Sequence, residues 1–403
     1  MAFVSYVLGD CPGCGARHSF GNVSVRDDHV LRGCKSCQHE SMAWLPEIRK
    51  KVLYLDQCFF SGAFRGGDAR FVEAVERVKR MAHLQLLLVP YSSVHEDETH
   101  QWRGHKEFSH TDLLAFIKAA ARGAEFKKDY RVERTQVTKA WSAFLKAMPS
   151  DFAFDDDDAI DGPLNKWDDY LRIEVGGYFK DVELRRTLKA QAVDNLIKAF
   201  DEWQTAKTTF EQDVAVEMQA AAENYLDTYV TMEKRLVQGD FAATIDSPIA
   251  AQVMEHMLHW LADTQPLGDK LQRCVEFFKS EYFKQVPMLW IEARMFATLK
   301  AMVKRGAYAN RDDAHRRLSG IFEDIKHIAL YAPYCDAFFM DQPMAELVRQ
   351  PTIGLEQRYG VEVFSLNNQD DFFAWLDRLE REMSDEHRAG VKVAYPELPR
   401  LDG

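Results

Sequence analysis

The chain is short of several things, and each absence narrows what it can be. No apolar run in its 403 residues approaches the roughly 20 needed to span a bilayer. Met1 to Asp10 hold neither a basic stretch nor an apolar h-region, so no signal peptide is expected and a cytoplasmic location is. There is no G-x-x-x-x-G-K-[ST] loop and no G-x-G-x-x-G fingerprint. That removes P-loop ATPases and dinucleotide oxidoreductases as leading options. A basic excess is lacking too: 51 Lys and Arg stand against 63 Asp and Glu, a net charge of −12. Proteins whose main work is coating nucleic acid usually show the opposite balance. A nuclease is not excluded, because clustered active-site carboxylates add negative charge and attract phosphate only once metal is bound. The run Asp155 to Asp158 inflates the total and reads as a solvated loop.

Cysteine is scarce over most of the length. Four of the seven form two pairs near the N-terminus, and only Cys58, Cys274 and Cys335 lie elsewhere. This distribution favours metal binding over disulfides. Cys11-Pro12-Gly13-Cys14 and Cys34-Lys35-Ser36-Cys37 are C-x-x-C pairs whose inner residues permit the tight turn that points two thiolates at one ion. Together they offer the four soft ligands of a closed, structural Zn²⁺ site. Between them, Val23 to Val25 and Val30 to Arg32 alternate like short strands joined by Asp27-Asp28-His29. Residues 1–48 therefore read as a zinc ribbon, with His18 as a surface residue; a redox dithiol is the alternative.

At about 150 residues per domain, the length predicts two or three domains. Lys51 to Asp56 reads as a buried strand, Asp68 to Met81 as an amphipathic helix, Leu84 to Val89 as a second strand, and Ser92 or Ser93 as the cap of a further helix. This β-α-β-α order predicts a parallel sheet. The alternation then stops. Residues 109–310 are helical by pattern, with a proline-free stretch from Asp181 to Leu236 and further helices over Ser247 to Ala262, Leu267 to Tyr282 and Pro287 to Lys304. They read as an all-α insertion whose aromatic and Met residues are core. The α/β signal returns in residues 311–384: a helix over Leu318 to Tyr331, strands over Asp336 to Met340 and Gly360 to Leu366, and helices over Pro343 to Val348 and Phe372 to Met383. Residues 385–403, with Pro396 and Pro399, read as a loosely ordered tail.

Four carboxylates stand out against this pattern. Asp56 ends the first strand, Glu98 (or Glu96) opens the helix after the second, Asp324 sits on a later helix, and Asp341 ends a later strand. Strand-end acids lie at the carboxyl edge of a sheet, where open α/β folds bind ligands. Oxygen donors without a histidine cluster suit Mg²⁺ or Mn²⁺, and such ions activate water against a phosphodiester. Each acid has a structural alternative. Asp341 could cap the next helix, Asp324 and His327 could be a solvated pair, Glu96 and Glu98 could favour the helix dipole, and His95 could be a helix-surface histidine.

These residues carry a resemblance. Tyr54-Leu55-Asp56-Gln57, Ser92-x-x-His95-x-x-Glu98-Thr99, Asp324-x-x-His327 with Pro333-Tyr334-Cys335-Asp336 and Asp341, and Tyr359 to Leu366 resemble PIN-like nuclease domains. The resemblance spans residues 50–105 and 315–382 and leaves out the ribbon and the helical block. It implies an α/β Rossmann-type three-layer sandwich that cleaves RNA, or DNA, with a carboxylate-bound metal. Asp56 matches the first acid, Glu98 (or Glu96) the second, and Asp324 and Asp341 the later pair. Asp336 is a fifth acid or a structural one, and His95 falls in the site region. Compact PIN-like domains lack the long insertion, which could serve as a lid, an inhibitory cap, or a dock for a protein partner or a second copy. The expected function is thus a Mg²⁺- or Mn²⁺-dependent nuclease, with a toxin-like or phage-defence effector as the role suggested by ribbon, nuclease and helical insert together. A non-catalytic scaffold that binds protein or nucleic acid through ribbon and helices is the alternative, and a phosphatase or nucleotide hydrolase a third.

Overall fold

The computed structural model describes residues 3–102, 104–105, 107–149, 155–162, 164–167, 182–244 and 247–398. Asp181 and Pro399, which the sequence reading touched, lie outside them. None of the described helices is long and apolar enough to cross a membrane.

The N-terminal unit is an antiparallel sheet of β1 (Tyr6–Gly9), β2 (Phe20–Arg26), β3 (His29–Cys34) and β4 (Glu40–Trp44), in that order. Val25 faces Val30 across the hairpin, as the alternation predicted. Val30 is fully buried in the same core as Ile48, Leu53 and Trp167, so the ribbon is docked on the rest of the chain.

The central sheet begins with β5 (Lys51–Leu55) and β6 (Leu87–Leu88). A two-stranded pair, β7 (Glu125–Phe126) and β8 (Ile160–Asp161), is bridged to Tyr91, in the segment that follows β6. Far downstream come β9 (Ala337–Phe339) and β10 (Glu362–Phe364). The four strands are parallel in the order β10-β9-β5-β6. Their cores read as unbroken apolar runs because both faces are covered. Leu53, Leu55, Ala337 and Phe339 pack with Phe59, Val78, Phe372 and Trp375 on one face. Val52, Tyr54 and Phe338 pack on the other with Phe126, Trp141, Ile325 and Tyr331. That second core runs on into the helices Phe210–Val237, Ile249–His259 and Pro287–Lys304. The helical block is therefore joined to the sheet through one continuous core and helps cover its second face.

Two expectations are corrected. The tail is ordered through Leu398: Asp385–Ala394 is a helix capped by Ser384, which accepts from the His387 N–H at 3.1 Å. It buries Val391 and Ala394, and His387 Nε2 lies 2.8 Å from the Leu84 carbonyl oxygen. A side chain at Gly390 would come within 2.7 Å of the Trp167 ring, so the close approach requires glycine there. Asn22 donates to the Val393 carbonyl at 2.9 Å, tying this helix to the ribbon. The prolines that suggested disorder follow the helix and do not interrupt it. The acidic run is also more than a solvated loop. Arg49 donates to Asp156 at 3.0 Å and Lys139 pairs with Asp158.

Inside the helical block, Asp213 is 1% exposed. It accepts from Lys300 and Lys304 at 2.7 Å each and from the Thr208 hydroxyl at 2.6 Å. These bonds tie the start of one long helix to the end of another. Burial alone would raise its pKa, but the bonds from Lys300, Lys304 and Thr208 outweigh it and hold the carboxyl below its ordinary value of 3.8. The network thus stabilises the fold above the unfolded pKa, and that contribution is lost as pH falls through the lower folded one. Asp213→Ala, which strands two ammonium groups, is expected to cost roughly 3 kcal/mol at neutral pH. Urea unfolding at pH 7 and near the unfolded carboxyl pKa checks this, and the gap between variant and wild type should narrow in acid.

Candidate metal and carboxylate sites

The four ribbon cysteines come together. Their sulfurs all lie within 4.8 Å of one another, and among the described residues they are the group of three or more metal-ligating side chains drawn that close. Cys11 and Cys37 sulfurs are 3.7 Å apart, Cys14 and Cys34 sulfurs 3.9 Å. A tetrahedron with Zn–S bonds of about 2.3 Å has sulfur–sulfur edges of about 3.8 Å, so both the spacing and the soft donor set fit zinc. Backbone N–H groups of Gly13, Ser36 and His39 donate to Cys11, Cys34 and Cys37 at 3.2–3.4 Å. The His39 N–H lowers the Cys37 thiol, but burial and the neighbouring cysteines push it up to about 12. The Ser19 hydroxyl, with the Ser36 N–H, holds the Cys34 thiol down at about 6. These four residues could hold a zinc ion. One zinc per chain is expected by elemental analysis of purified protein. Cys14→Ser and Cys34→Ser should each lose most of it, and Cys274→Ser none.

The second site is at the carboxyl ends of the parallel strands. β5 leads through helices to β6 on one side, and β9 leads to β10 on the other, so the strand order reverses between β5 and β9. Such a switch point leaves a crevice where the loops part. Asp56 and Asp341 follow the two strands that flank it. Each caps the next helix: Asp56 accepts from the Gln57 N–H at 2.7 Å, and Asp341 from the Met344 N–H at 2.9 Å. The Asp56 N–H donates to the Phe339 carbonyl at 2.9 Å, which fixes the end of the ladder. Asp324 comes from the first turn of helix Ile321–Tyr331. It shares with Asp56 a small cavity of about 10 Å³, lined also by Tyr54, His327, Ile328, Phe338, Met340 and Met344. That is on the order of the space one water or one small ion occupies.

Electrostatics tie the acids together. Burial pushes the Asp56 carboxyl up to about 6, opposed by the Cys58 thiol; the Asp341 charge raises it further, while N–H bonds from Gln57 and Asp341 lower it. Burial raises Asp341 as well. The Cys58 thiol is driven well above its usual value by burial and then by Asp56, Asp341 and Asp324. The buried Tyr54 phenol is raised by burial and then by Asp56 and Glu98. All four predicted acids therefore act on one neighbourhood. Ionised carboxylates in such surroundings repel one another, and a hard divalent cation would offset that repulsion. Their oxygens are not drawn into a closed ligand set, because two of them are turned to helix N-termini.

The remaining predicted residues separate from this group. Asp336 stands at the opposite end of β9, where it accepts from Lys51 at 2.7 Å and from the Val52 N–H at 2.8 Å. It is a clasp on strand pairing, away from the carboxylates at the other end of the sheet. Glu96 pairs with Lys118 at 3.5 Å, while the Glu98 charge acts on Tyr54. His95 is not on the surface. Its Nδ1 accepts from the Ser92 N–H at 2.9 Å and its Nε2 lies 2.8 Å from the Leu55 carbonyl. Burial holds its pKa down at about 4, so the ring is neutral and positions the end of β5 directly before Asp56. Nor are Asp324 and His327 a solvated pair. His327 is buried, with Nδ1 3.1 Å from the Tyr54 hydroxyl.

Sequence reasoning passed over Tyr54 and Cys58, each two residues from Asp56. The signal for His327 was its spacing of three from Asp324 on one helix, which places both on one face. Comparison of the chain with protein-family models, curated proteins and solved structures finds no match.

Proposed function

We propose that the protein is a divalent-metal-dependent nuclease with a PIN-like arrangement, which hydrolyses phosphodiester bonds of RNA or DNA at the switch point of its parallel sheet. One observation carries the reading: Asp56 and Asp341 flank the reversal of strand order, and Asp324 lines the same cavity as Asp56. Asp56, Asp324, Asp341 and Glu98 are the residues that would hold Mg²⁺ or Mn²⁺. When bound, such an ion supplies a Lewis acid and a water of lowered pKa.

The chain's own residues prepare that chemistry. N–H groups of Gln57 and Asp341 and the Cys58 thiol orient the Asp56 carboxylate. His95 fixes the strand end that carries it. Tyr54 and His327, joined by their hydrogen bond, line the cavity. In this reading the ribbon's zinc is structural, since a closed Cys₄ set has no open position for substrate. The helix-capping role of Asp56 and Asp341 favours a second reading, a non-catalytic scaffold built on the same sheet.

Labelled single-stranded RNA, single-stranded DNA and duplex DNA, each incubated with Mg²⁺ or Mn²⁺, separate the two. The nuclease reading expects cleavage that EDTA abolishes. It also expects a loss of at least about a hundredfold in Asp56→Asn or Asp341→Asn, on the scale of removing one group that stabilises transition-state charge. Cleavage of none of these substrates, with a melting temperature that Mn²⁺ leaves unchanged, would favour the scaffold.

A further inference from the structure

A second cavity lies within the helical block. It is far larger than the one beside Asp56 and shares no lining residue with it. Its volume is about 330 Å³, inside the range of about 300–1,000 Å³ usual for small-molecule sites. Four helices wall it. Glu133 comes from Asp129–Leu145, Glu217 and Tyr225 from Phe210–Val237, Glu292 from Pro287–Lys304, and Lys326 from Ile321–Tyr331. Between these groups the walls are apolar, with Ala221, Leu289, Ala293 and Phe296. Asn224 lines the cavity and is exposed, so the space opens to solvent on that side.

Three carboxylates and one ammonium face this space, and they do not cancel. Lys326 is taken up by Asp129, which lies 2.7 Å away and outside the lining. Glu133, only 8% exposed, accepts from the Tyr225 hydroxyl at 2.8 Å. Glu217 and Glu292 have no hydrogen bond and no ion pair among the described residues. Glu292 is half-buried as a residue, but its carboxyl is nearly enclosed. Burial and then the Glu133 charge push it up to about 7, while Lys326 lowers it. An enclosed carboxyl without a donor is costly to keep. In a cavity it marks a place where a ligand completes the balance.

The missing cation is not a bare metal ion. The three carboxylates are not drawn within the 4.8 Å that the ribbon sulfurs keep. The volume also far exceeds the roughly 10–15 Å³ that one water needs. Acids set apart across an apolar-walled space suit a cation with a hydrocarbon body. Lys326 shows that chemistry in place: its ammonium sits at the wall on Asp129, and Glu133 acts on it from farther off. Glu217 and Glu292 remain, and two unmatched carboxylates match two positive charges.

We propose that this cavity binds an aliphatic diamine, with its ammonium groups on Glu217 and Glu292 and its methylenes against Leu289, Ala293 and Phe296. Ammonium groups give carboxylates strong, charge-assisted hydrogen bonds, and the hydrocarbon between them takes the place of water on the apolar walls. The site goes beyond the nuclease reading and does not depend on it.

The test uses the full zinc-bound chain and 1,4-diaminobutane, followed by calorimetry and by the rise in melting temperature. Glu217→Gln and Glu292→Gln keep the shape of each side chain and remove its charge. Each should weaken binding about tenfold or more, the scale of one hydrogen bond to a charged group. Butylamine, with a single charge, should bind more weakly than the diamine by a similar factor. Ala221→Leu keeps every carboxylate but fills the space, and should abolish binding. Glu223→Gln, exposed on the same helix, should bind as wild type does, which separates the cavity from general attraction to a chain of net charge −12. Neither heat nor a melting shift from the diamine would overturn the proposal. So would equal affinity in wild type, Glu217→Gln and Glu292→Gln. Tighter binding of Mn²⁺ than of the diamine, abolished by Glu292→Gln, would also overturn it, since the cavity would then be a metal site. Failure of the cleavage assays bears on the strand-end acids alone and leaves this site standing.

Discussion

Everything else in this molecule depends on the pairing of β5 with β9. Leu53, Tyr54 and Leu55 lie beside Ala337, Phe338 and Phe339 in parallel register, although some 280 residues separate them in sequence. A contact that distant must overcome a large loop-closure entropy before it contributes anything. The structure reinforces it at both ends. At the amino ends, Asp336 accepts from Lys51 and from the Val52 N–H. At the carboxyl ends, the Asp56 N–H reaches the Phe339 carbonyl and His95 holds the Leu55 carbonyl. Between these ties, apolar side chains alternate into two separate cores.

That pairing also accounts for the helical block. An insertion of some two hundred residues between two neighbouring strands must leave the sheet and return to it. Here it covers the face that Tyr54 and Phe338 present, with Phe126, Trp141 and Ile291 filling the same core. The ribbon and the C-terminal helix do the equivalent on the other face, where Val30, Trp167 and Val391 meet. A segment that looks like an addition in the linear chain is thus part of the sheet's cover. The Asp213 network is anchored on the helix Pro287–Lys304, whose buried residues belong to that same core.

The carboxylate site shows how one residue type serves two purposes. Asp56 and Asp341 stabilise helix starts through their N-cap bonds and at the same time concentrate negative charge at the switch point. Partial burial raises both, so the cluster is held at the expense of some carboxylate stability. Like charges brought together at a sheet edge, in a cavity walled by a phenol and an imidazole, are costly for a purely structural element. They become useful where a cation and an anionic substrate complete the balance. The ribbon shows the contrasting case: four sulfurs at tetrahedral spacing could hold an ion with ligands drawn from the ribbon alone.

Local patterns determined much of this. Two C-x-x-C pairs specified the cysteine cluster, the apolar run before Asp56 specified β5, and the proline-free stretch specified long helices, because each rests on chemistry within a few residues or on a short period. The positions of Asp56 and Asp341 at strand ends were legible for the same reason. What the linear chain does not contain is strand order. Only the tertiary structure decided that β9 lies beside β5 and that the order reverses between them, which turns two strand-end acids into neighbours. It also decided what these acids meet: Asp336, at the start of its strand, accepts from Lys51, and Glu96 pairs with Lys118 from another helix. His95 and the C-terminal helix were misread for one reason: their partners, the Leu55 carbonyl and Trp167, are remote in sequence. A sequence records which side chains a segment offers; which of them meet depends on pairings across the whole chain.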